Sequence, residues 1–382
     1  MNHANDLTIL LAVKDRVPFT QRWLAYAASV QLPYKIMIAD GGSDAATEQV
    51  ASGGRALGLD VEYVRYPFDA TYADYYAKLA DALSRVPTPF AVMADNDDMF
   101  IPEGLARAVR FLTANPSYVA CGGQCAVFWV SSGDGGVGDT VYGDSLEWKC
   151  TSHLHSDVAE TARQRLIDHA LNSSDAFYSV HRTAVLRRAF EVVRECNPRD
   201  LFLMEQTVAF HTAIAGKCRQ LDHLYIARQQ DSPGSSGGTH QERFGGWFER
   251  MLQPTWSDDI TRVVDAASQA LACADAIPID TARRVILDAY KMSVAPSLLR
   301  DVLTEPTVSL SMPMVLQVVG RLVTLPRTSL TRRYAQWLYR TTRWVSHDLV
   351  HGTQLRTRRS SAASGEFAPV RSFLEASQRH NS

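Results

Sequence analysis

The sequence predicts an α/β protein: a mostly parallel central sheet flanked by helices, followed by an α-helical C-terminal region. Three observations predict it. Over the first 130 residues, short β-rich runs alternate with helices of about three turns, the pattern of βαβ units. Two clusters rich in Asp or Gly fall where predicted strands end, which is where such sheets bind ligands. From Phe244 onward the apolar spacing is purely helical.

The elements follow in order. Leu7–Val13 reads as a strand, Phe19–Val30 as a helix and Lys35–Ala39 as a second strand ending in Asp40-Gly41-Gly42-Ser43-Asp44. Ala45–Leu57 is helical, Val61–Arg65 a strand, Tyr72–Leu83 helical, and Phe90–Ala94 a fourth strand that stops at Asp95-Asn96-Asp97-Asp98. Pro102–Leu112 is helical, with proline at a favoured early position, and Tyr118–Val130 is a longer strand. Ser131–Asp144 reads as a loop, Val158–Asn172 as a helix, Ala176–His181 as a strand, and Arg182–Glu195 and Leu201–Ala215 as helices, the latter closed by Gly216. Lys217–Arg228 is a strand and Gln229–Thr239 a flexible loop. Ile260–Ala274, Thr281–Leu303 and two pieces within Met312–Val350 are helical, and Arg359–Ser382 reads as a polar tail.

The chain has 382 residues, enough for two or three domains at about 150 residues each. Its composition, 46% hydrophobic and 21% charged, is that of a folded globular protein and excludes wholesale disorder. Six cysteines without CxxC spacing argue against a disulfide scaffold or a zinc site and for reduced thiols. Leu7–Val13 is too short for a signal-peptide core, and no apolar run reaches the ~18–20 residues of a membrane span.

Asp95-Asn96-Asp97-Asp98 is the strongest chemical signal. Three carboxylates at the mouth of an apolar strand repel one another unless a cation joins them. Mg²⁺ or Mn²⁺, with oxygen ligands and a bound diphosphate, is the natural partner; an acidic turn before the Pro102 helix is the plainer reading. After the second strand, Gly41 and Gly42 let the backbone approach a ligand. Asp40 could there accept a hydrogen bond from a nucleobase, whereas Ser43 and Asp44 suit helix capping.

With LTILLAVKDR, KIMIADGGSD and FAVMADNDDMFIPEGL in this order, residues 5–230 resemble the GT-A glycosyltransferases, in particular the family 2 type. Asp200-Leu201-Phe202-Leu203-Met204-Glu205-Gln206 with Ala215-Gly216-Lys217 is similar to the family's segment around its acidic base, and Ala176–Leu186 to the segment before it. The resemblance implies a Rossmann-like GT-A fold and a role for each matched residue. Asp40 contacts the nucleotide base. Asp95 and Asp97 form the D-x-D, with Asp97 the direct metal ligand and Asp95 nearer the ribose or metal. Glu205 deprotonates the acceptor hydroxyl, work that suits a carboxylate whose pKa burial raises; a solvated glutamate is the alternative. The chain departs from the pattern at Gly41, where the family has a second aspartate, and at Gln206, which leaves Glu205 as the single carboxylate of the base pair.

Supporting positions are Asp15, which could hold base or ribose, and Lys78, which reads either as a phosphate ligand or as a solvated helical lysine. His240, after the 229–239 loop, could ligate the metal or touch the diphosphate; in this fold such a loop closes over the donor and excludes water. Tyr178, His181 and Arg182 lie near the presumed acceptor side. Gly133-x-Gly135-x-x-Gly138 lacks the following helix of a dinucleotide fingerprint, Gly234-x-Ser236-x-Gly238 sits in a Ser/Gly/Pro loop and not at a nucleophile elbow, and His153 and His155 could pair on a metal, with a polar loop the plainer reading.

The net charge is −2, from 39 Lys plus Arg against 41 Asp plus Glu. Nine arginines between Pro313 and Arg359 face one acid, Asp348, a balance of +8, so the rest of the chain carries −2 − 8 = −10. With Tyr334, Trp337, Tyr339 and Trp344 among them, Arg321–Arg359 suits either an anionic membrane surface or packing on the rest of the chain. No nucleic-acid motif accompanies it.

Together these readings give residues 1–240 as a GT-A catalytic domain (nucleotide-sugar half about 1–130, acceptor half about 131–240), 241–358 as a helical domain and 359–382 as a flexible tail. The expected function is a Mg²⁺- or Mn²⁺-dependent, inverting hexosyltransferase that uses a nucleoside diphosphate sugar, UDP-sugar favoured, on a glycan, lipid-linked or protein acceptor in surface glycan synthesis. The expected location is the cytoplasm or the inner membrane face, and a homo-oligomer stays open. The alternatives are a retaining enzyme, a nucleotidyltransferase on the same fold, or a non-catalytic membrane-associated sugar-nucleotide-binding scaffold.

Overall fold

The computed structural model describes residues 5–131, 141–143, 145–150, 155–172, 176–304 and 364–376. The elements are β1 (Leu7–Val13), α1 (Val17–Ser29), β2 (Lys35–Asp40), α2 (Ala46–Ala56), β3 (Val61–Arg65), α3 (Tyr72–Arg85), β4 (Phe90–Ala94), β5 (Met99–Phe100), α4 (Pro102–Ala114) and β6 (Tyr118–Ser131). They continue with β7 (Ser145–Cys150), α5 (Ala162–Asn172), β8 (Val180–Arg182), α6 (Thr183–Cys196), α7 (Leu201–Ala215), β9 (Lys217–Gln229), α8 (Ser236–Phe244), α9 (Trp247–Met251), α10 (Trp256–Asp275) and α11 (Ile279–Thr304). A last helix, α12, spans 364–376.

One sheet runs β3-β2-β1-β4-β8-β6-β9-β5, with β7 added on β6. β3, β2, β1 and β4 are mutually parallel and β6 is parallel to β9, while β8, β5 and β7 run antiparallel to their neighbours. β1 lies at the centre of the parallel part, covered on both faces, which is why its sequence is an unbroken apolar run. Leu7, Ile9 and Leu11 enter the core on one face and Leu10 the core on the other.

α7 is apolar almost all round, as a helix buried between two cores must be. Leu201, Met204 and Val208 pack under the sheet with α3 and α6. Leu203, Phe210 and Ile214 face α5, α10 and α11. The helical segment therefore shares a core with the α/β part through α5, α6 and α7.

The sequence reading missed several pieces. β5 is two residues long, and β7 follows a Gly/Asp-rich stretch; both exist through pairing with β9 and β6 and carry little local signal. The loop expected over 229–239 gives way to a helix at Ser236, where the Ser235 hydroxyl accepts from Gly238 N at 3.2 Å and His240 is buried. Residues 364–376, expected in the flexible tail, dock instead. Phe367, Val370 and Leu374 are buried against β6 and β9, Phe367 stacks on Trp148 at 4.3 Å, and Glu366 accepts from Leu224 N at 2.7 Å. The polar spacing that suggested a tail is the outer face of this helix. All six cysteines are free. The segment Arg321–Arg359 lies outside the described residues.

Candidate active site

The site forms at the carboxyl ends of β1, β2 and β4. Right after β1, Asp15 and Arg16 both have left-handed backbones (φ 55° and 54°). Two successive non-glycine residues in that region store strain, which persists where the surroundings over-determine it. Here both side chains are held. Asp15 Oδ1 accepts from the Ser43 backbone (2.7 Å) and hydroxyl (2.8 Å), bonds that lower its pKa. Arg16 Nη1 donates to Asn96 Oδ1 at 3.1 Å, and Nη2 donates to Asp97 Oδ2 at 3.2 Å and to the Ser232 hydroxyl at 3.0 Å. Asp15 thus braces the turn after β2, and Arg16 reaches the acidic turn after β4.

Asp40 is fully buried at the end of β2. Its Oδ1 accepts from Gly42 N (2.8 Å), and its Oδ2 from the Tyr63 hydroxyl (2.8 Å) and Arg65 (2.7 Å). Gly41 has a direct steric reason: a Cβ there would overlap the Asp69 carboxyl group. Asp69 is thus a carboxylate beside the position where the family pattern carries its second turn aspartate. Lys78 is buried, neither solvated nor open to a phosphate in this arrangement. Its Nζ donates to Val13 O at 2.9 Å and forms a short ion pair with Asp69. Burial lowers the pKa of Lys78 and raises that of Asp69, each opposed by the partner's charge.

Asp95, Asp97 and Asp98 place carboxylate oxygens within 4.8 Å of one another, and no other such group of potential metal ligands exists among the described residues. Three hard oxygen donors at this spacing fit Mg²⁺ or Mn²⁺. Each also has an organic neighbour. Asp95 Oδ2 accepts from the Tyr178 hydroxyl (2.5 Å), Asp97 Oδ2 from Arg16 and the Ser232 hydroxyl, and Asp98 Oδ2 from Arg228 Nε (2.8 Å). Burial, with the neighbouring carboxylates, pushes Asp95 and Asp98 upward. Burial works against the charge of Arg228, but Asp98, Tyr178 and Asp95 outweigh it and hold its pKa well up. Arg228 also lies 4.2 Å from the centre of the Tyr178 ring and donates to its hydroxyl at 3.2 Å.

Glu205 is the fifth residue of α7, just past the first turn that its N-cap Asp200 closes. Burial pushes its pKa up to about 7; Asp95 and Asp200 add to the rise, while Arg228 and Arg250 oppose it. A carboxyl held near neutrality by burial is a functional-site signature.

His240 is not in the acidic cluster. It is buried, with Nδ1 2.7 Å from the Tyr72 hydroxyl and Nε2 3.1 Å from Asp200 Oδ2. Both ring nitrogens are engaged, so neither is available to a metal in this arrangement. Of the other sequence candidates, Tyr178 joins the site through Asp95. His181 is buried beside the Ser179 carbonyl (2.7 Å), and Arg182 ties Tyr118, Leu112 and Asn115 carbonyls. His155 faces Asp157 at 3.4 Å, and His153 lies outside the described residues, as does the 133–138 glycine pattern. Sequence reasoning missed Arg16, Asp69, Asp200, Arg228 and Ser232. Arg228 alone had a local signal, a charge at the end of an apolar strand.

No protein-family model matches the chain, and no curated protein matches it. Among solved structures it is similar to S. aureus TarS, with 11% identity and TM-score 0.47 over 84% of this chain; it spans 49% of that TarS chain. It is also similar to S. aureus TarS 1-349 in complex with UDP-GlcNAc, at 12% identity and TM-score 0.46, covering 98% of this chain and 92% of that one. A third is the mannosyltransferase PcManGT from Pyrobaculum calidifontis in complex with GDP-Man and Mn²⁺, at 13% identity and TM-score 0.39, covering 90% and 87%.

Proposed function

We propose that this chain is a metal-dependent, inverting glycosyltransferase that moves a hexose from a nucleoside diphosphate sugar, a UDP-sugar by preference, to an acceptor hydroxyl. One observation carries the reading: Glu205, with a pKa of about 7, lies close enough to the Asp95-Asp97-Asp98 cluster to feel the charge of Asp95. That sets a general base beside a cation-ready diphosphate site.

The residues divide the work. Asp95, Asp97 and Asp98 would hold Mg²⁺ or Mn²⁺, whose charge, when bound, offsets that of the departing diphosphate. Asp15 and Asp40 shape the turn that receives the nucleoside. Asp40 reaches the base only if it shares oxygens already bonded to Tyr63, Arg65 and Gly42. Glu205 takes the proton of the acceptor hydroxyl as that oxygen bonds to the anomeric carbon. The bond from that carbon to the phosphate oxygen breaks, and its electron pair leaves with the nucleoside diphosphate. One base and one displacement invert the anomer. Surface glycan synthesis, with a lipid-linked acceptor reached through the basic segment Arg321–Arg359 at the inner membrane face, completes the proposal. No helix among the described residues is long and apolar enough to cross a membrane.

The test is a thermal-shift screen of UDP-, GDP-, CMP- and dTDP-sugars with and without Mn²⁺. A donor at about 100 times its Kd stabilises by about 2.7 kcal/mol, so the cognate sugar nucleotide should raise Tm by several degrees, and more with Mn²⁺. If none of the four classes stabilises the chain in either condition, the reading fails. With the donor in hand, NMR of the product anomer decides inversion against retention, and pyrophosphate release would mark nucleotidyl transfer instead.

A further inference from the structure

The segment after β9 is fastened at two points. Its first half is held by the Ser232 hydroxyl on Asp97. Its second half is held by His240, 1% exposed, whose ring lies among Tyr72 of α3, Phe202 of α7 and Phe244 of α8. A carboxylate only accepts, so His240 Nε2 is the donor to Asp200 Oδ2 at 3.1 Å. Arg250 Nε of α9 lies 3.2 Å from the same oxygen. The other oxygen, Oδ1, accepts from Leu203 N at 2.8 Å and caps α7. Asp200 therefore joins the segment after β9 to the helix that carries Glu205.

We propose that His240 is a positioning residue: through Asp200 it fixes the first turn of α7 and so the place of Glu205, the residue that follows that turn. The proposal rests on Glu205 being the base. An N-cap sets the geometry of the residues just after it, and a base misplaced by about 1 Å loses on the order of 10²-fold in rate. Asp200 can serve as cap without His240, but His240 and Arg250 decide which way its carboxylate turns. They also tie that choice to α8 and α9. The segment that would cover the donor is by this route mechanically connected to the base.

The groups coupled to Glu205 through their charge are Tyr75 of α3, Asp95 after β4, Tyr178 before β8, Asp200 at the cap, Arg228 of β9 and Arg250 of α9. The test needs no substrate: titration of Glu205 by NMR in protein labelled with ¹³C-glutamate, assigned by Glu205→Gln. In His240→Ala the loosened turn admits water, and the midpoint near 7 should fall by about a unit or more. His240→Gln, which restores a donor to Asp200, should recover most of it. Asp200→Asn keeps a good cap but removes a negative charge, so its midpoint should also fall. An unchanged midpoint in His240→Ala, with Tm retained, overturns the proposal. So does a His240→Ala protein whose Mn²⁺ affinity drops tenfold, since His240 would then be a metal ligand. If His240→Ala does not fold, Tyr72→Phe carries the test: losing the hydroxyl that holds His240 Nδ1 should lower the Glu205 midpoint, and an unchanged midpoint overturns the proposal. An ordinary midpoint in the wild type would instead remove Glu205 as the base, independently of His240.

Discussion

Asp97→Ala is expected to lower sugar transfer by roughly 10²–10³-fold, the scale of losing one electrostatic stabiliser of a transition state, and to remove the stabilisation given by Mn²⁺. Its Tm should stay the same or rise. Asp97 is nearly buried, and its removal leaves Arg16 bonded to Asn96 and Ser232. It also relieves Asp95 and Asp98, whose carboxyls it pushes upward. Loss of the ion pair and relief of repulsion thus oppose each other in stability but act together in function. Transfer at the wild-type rate with the Mn²⁺ effect intact would take Asp97 out of the site.

Glu205→Gln should cut kcat by about 10²–10⁴-fold and leave donor and Mn²⁺ binding within about twofold. Glutamine keeps the shape and removes only the base. In the wild type the acid limb of kcat should lie near pH 7. Glu205 must be ionised to take a proton, so activity falls about tenfold per pH unit below that point and is flat above it. The variant's residual rate should show no such limb. Measuring kcat from pH 5 to 9 for both proteins checks this, and an identical limb in the variant would assign it to another group. A limb near pH 4.5 in the wild type would mean an exposed glutamate and a different base.

The sequence made the sheet legible where local pattern and burial agree. β1, β2 and β4 are mostly apolar runs, the latter two closed by Asp40 and Asp95, and α7 spans the bounds its sequence suggests because Gly216 ends it. The acidic turn and Asp40 were visible as residues because carboxylates closing a buried apolar strand stand out, and Glu205 because of the segment around it. Their partners were not. Arg228 meets Asp98 across 130 residues of chain, Ser232 meets Asp97 across 135 and Tyr178 meets Asp95 across 83. No local pattern encodes such pairings. His240 was noticed for the right reason, a histidine after a Ser/Gly-rich stretch. Its contacts were hidden because Tyr72, 168 residues away, could not be foreseen. Lys78 reads as an exposed helical lysine until Asp69 is set beside it.

The smallest element has a consequence for binding. In the β5–β9 ladder Met99 stands opposite Ala227 and Phe100 opposite Ile226, so the next pair along the ladder is Asp98 and Arg228, joined at 2.8 Å. The acidic turn is thereby ordered by the sheet before any cation or nucleotide arrives. The entropy of arranging it is spent in folding and not at the moment of binding. Amide hydrogen exchange at Met99 and Ile101, whose N–H groups face β9, should accordingly be slow in the free protein and change little with Mn²⁺ and UDP. Fast exchange that slows on binding would show that the ligands order the turn themselves.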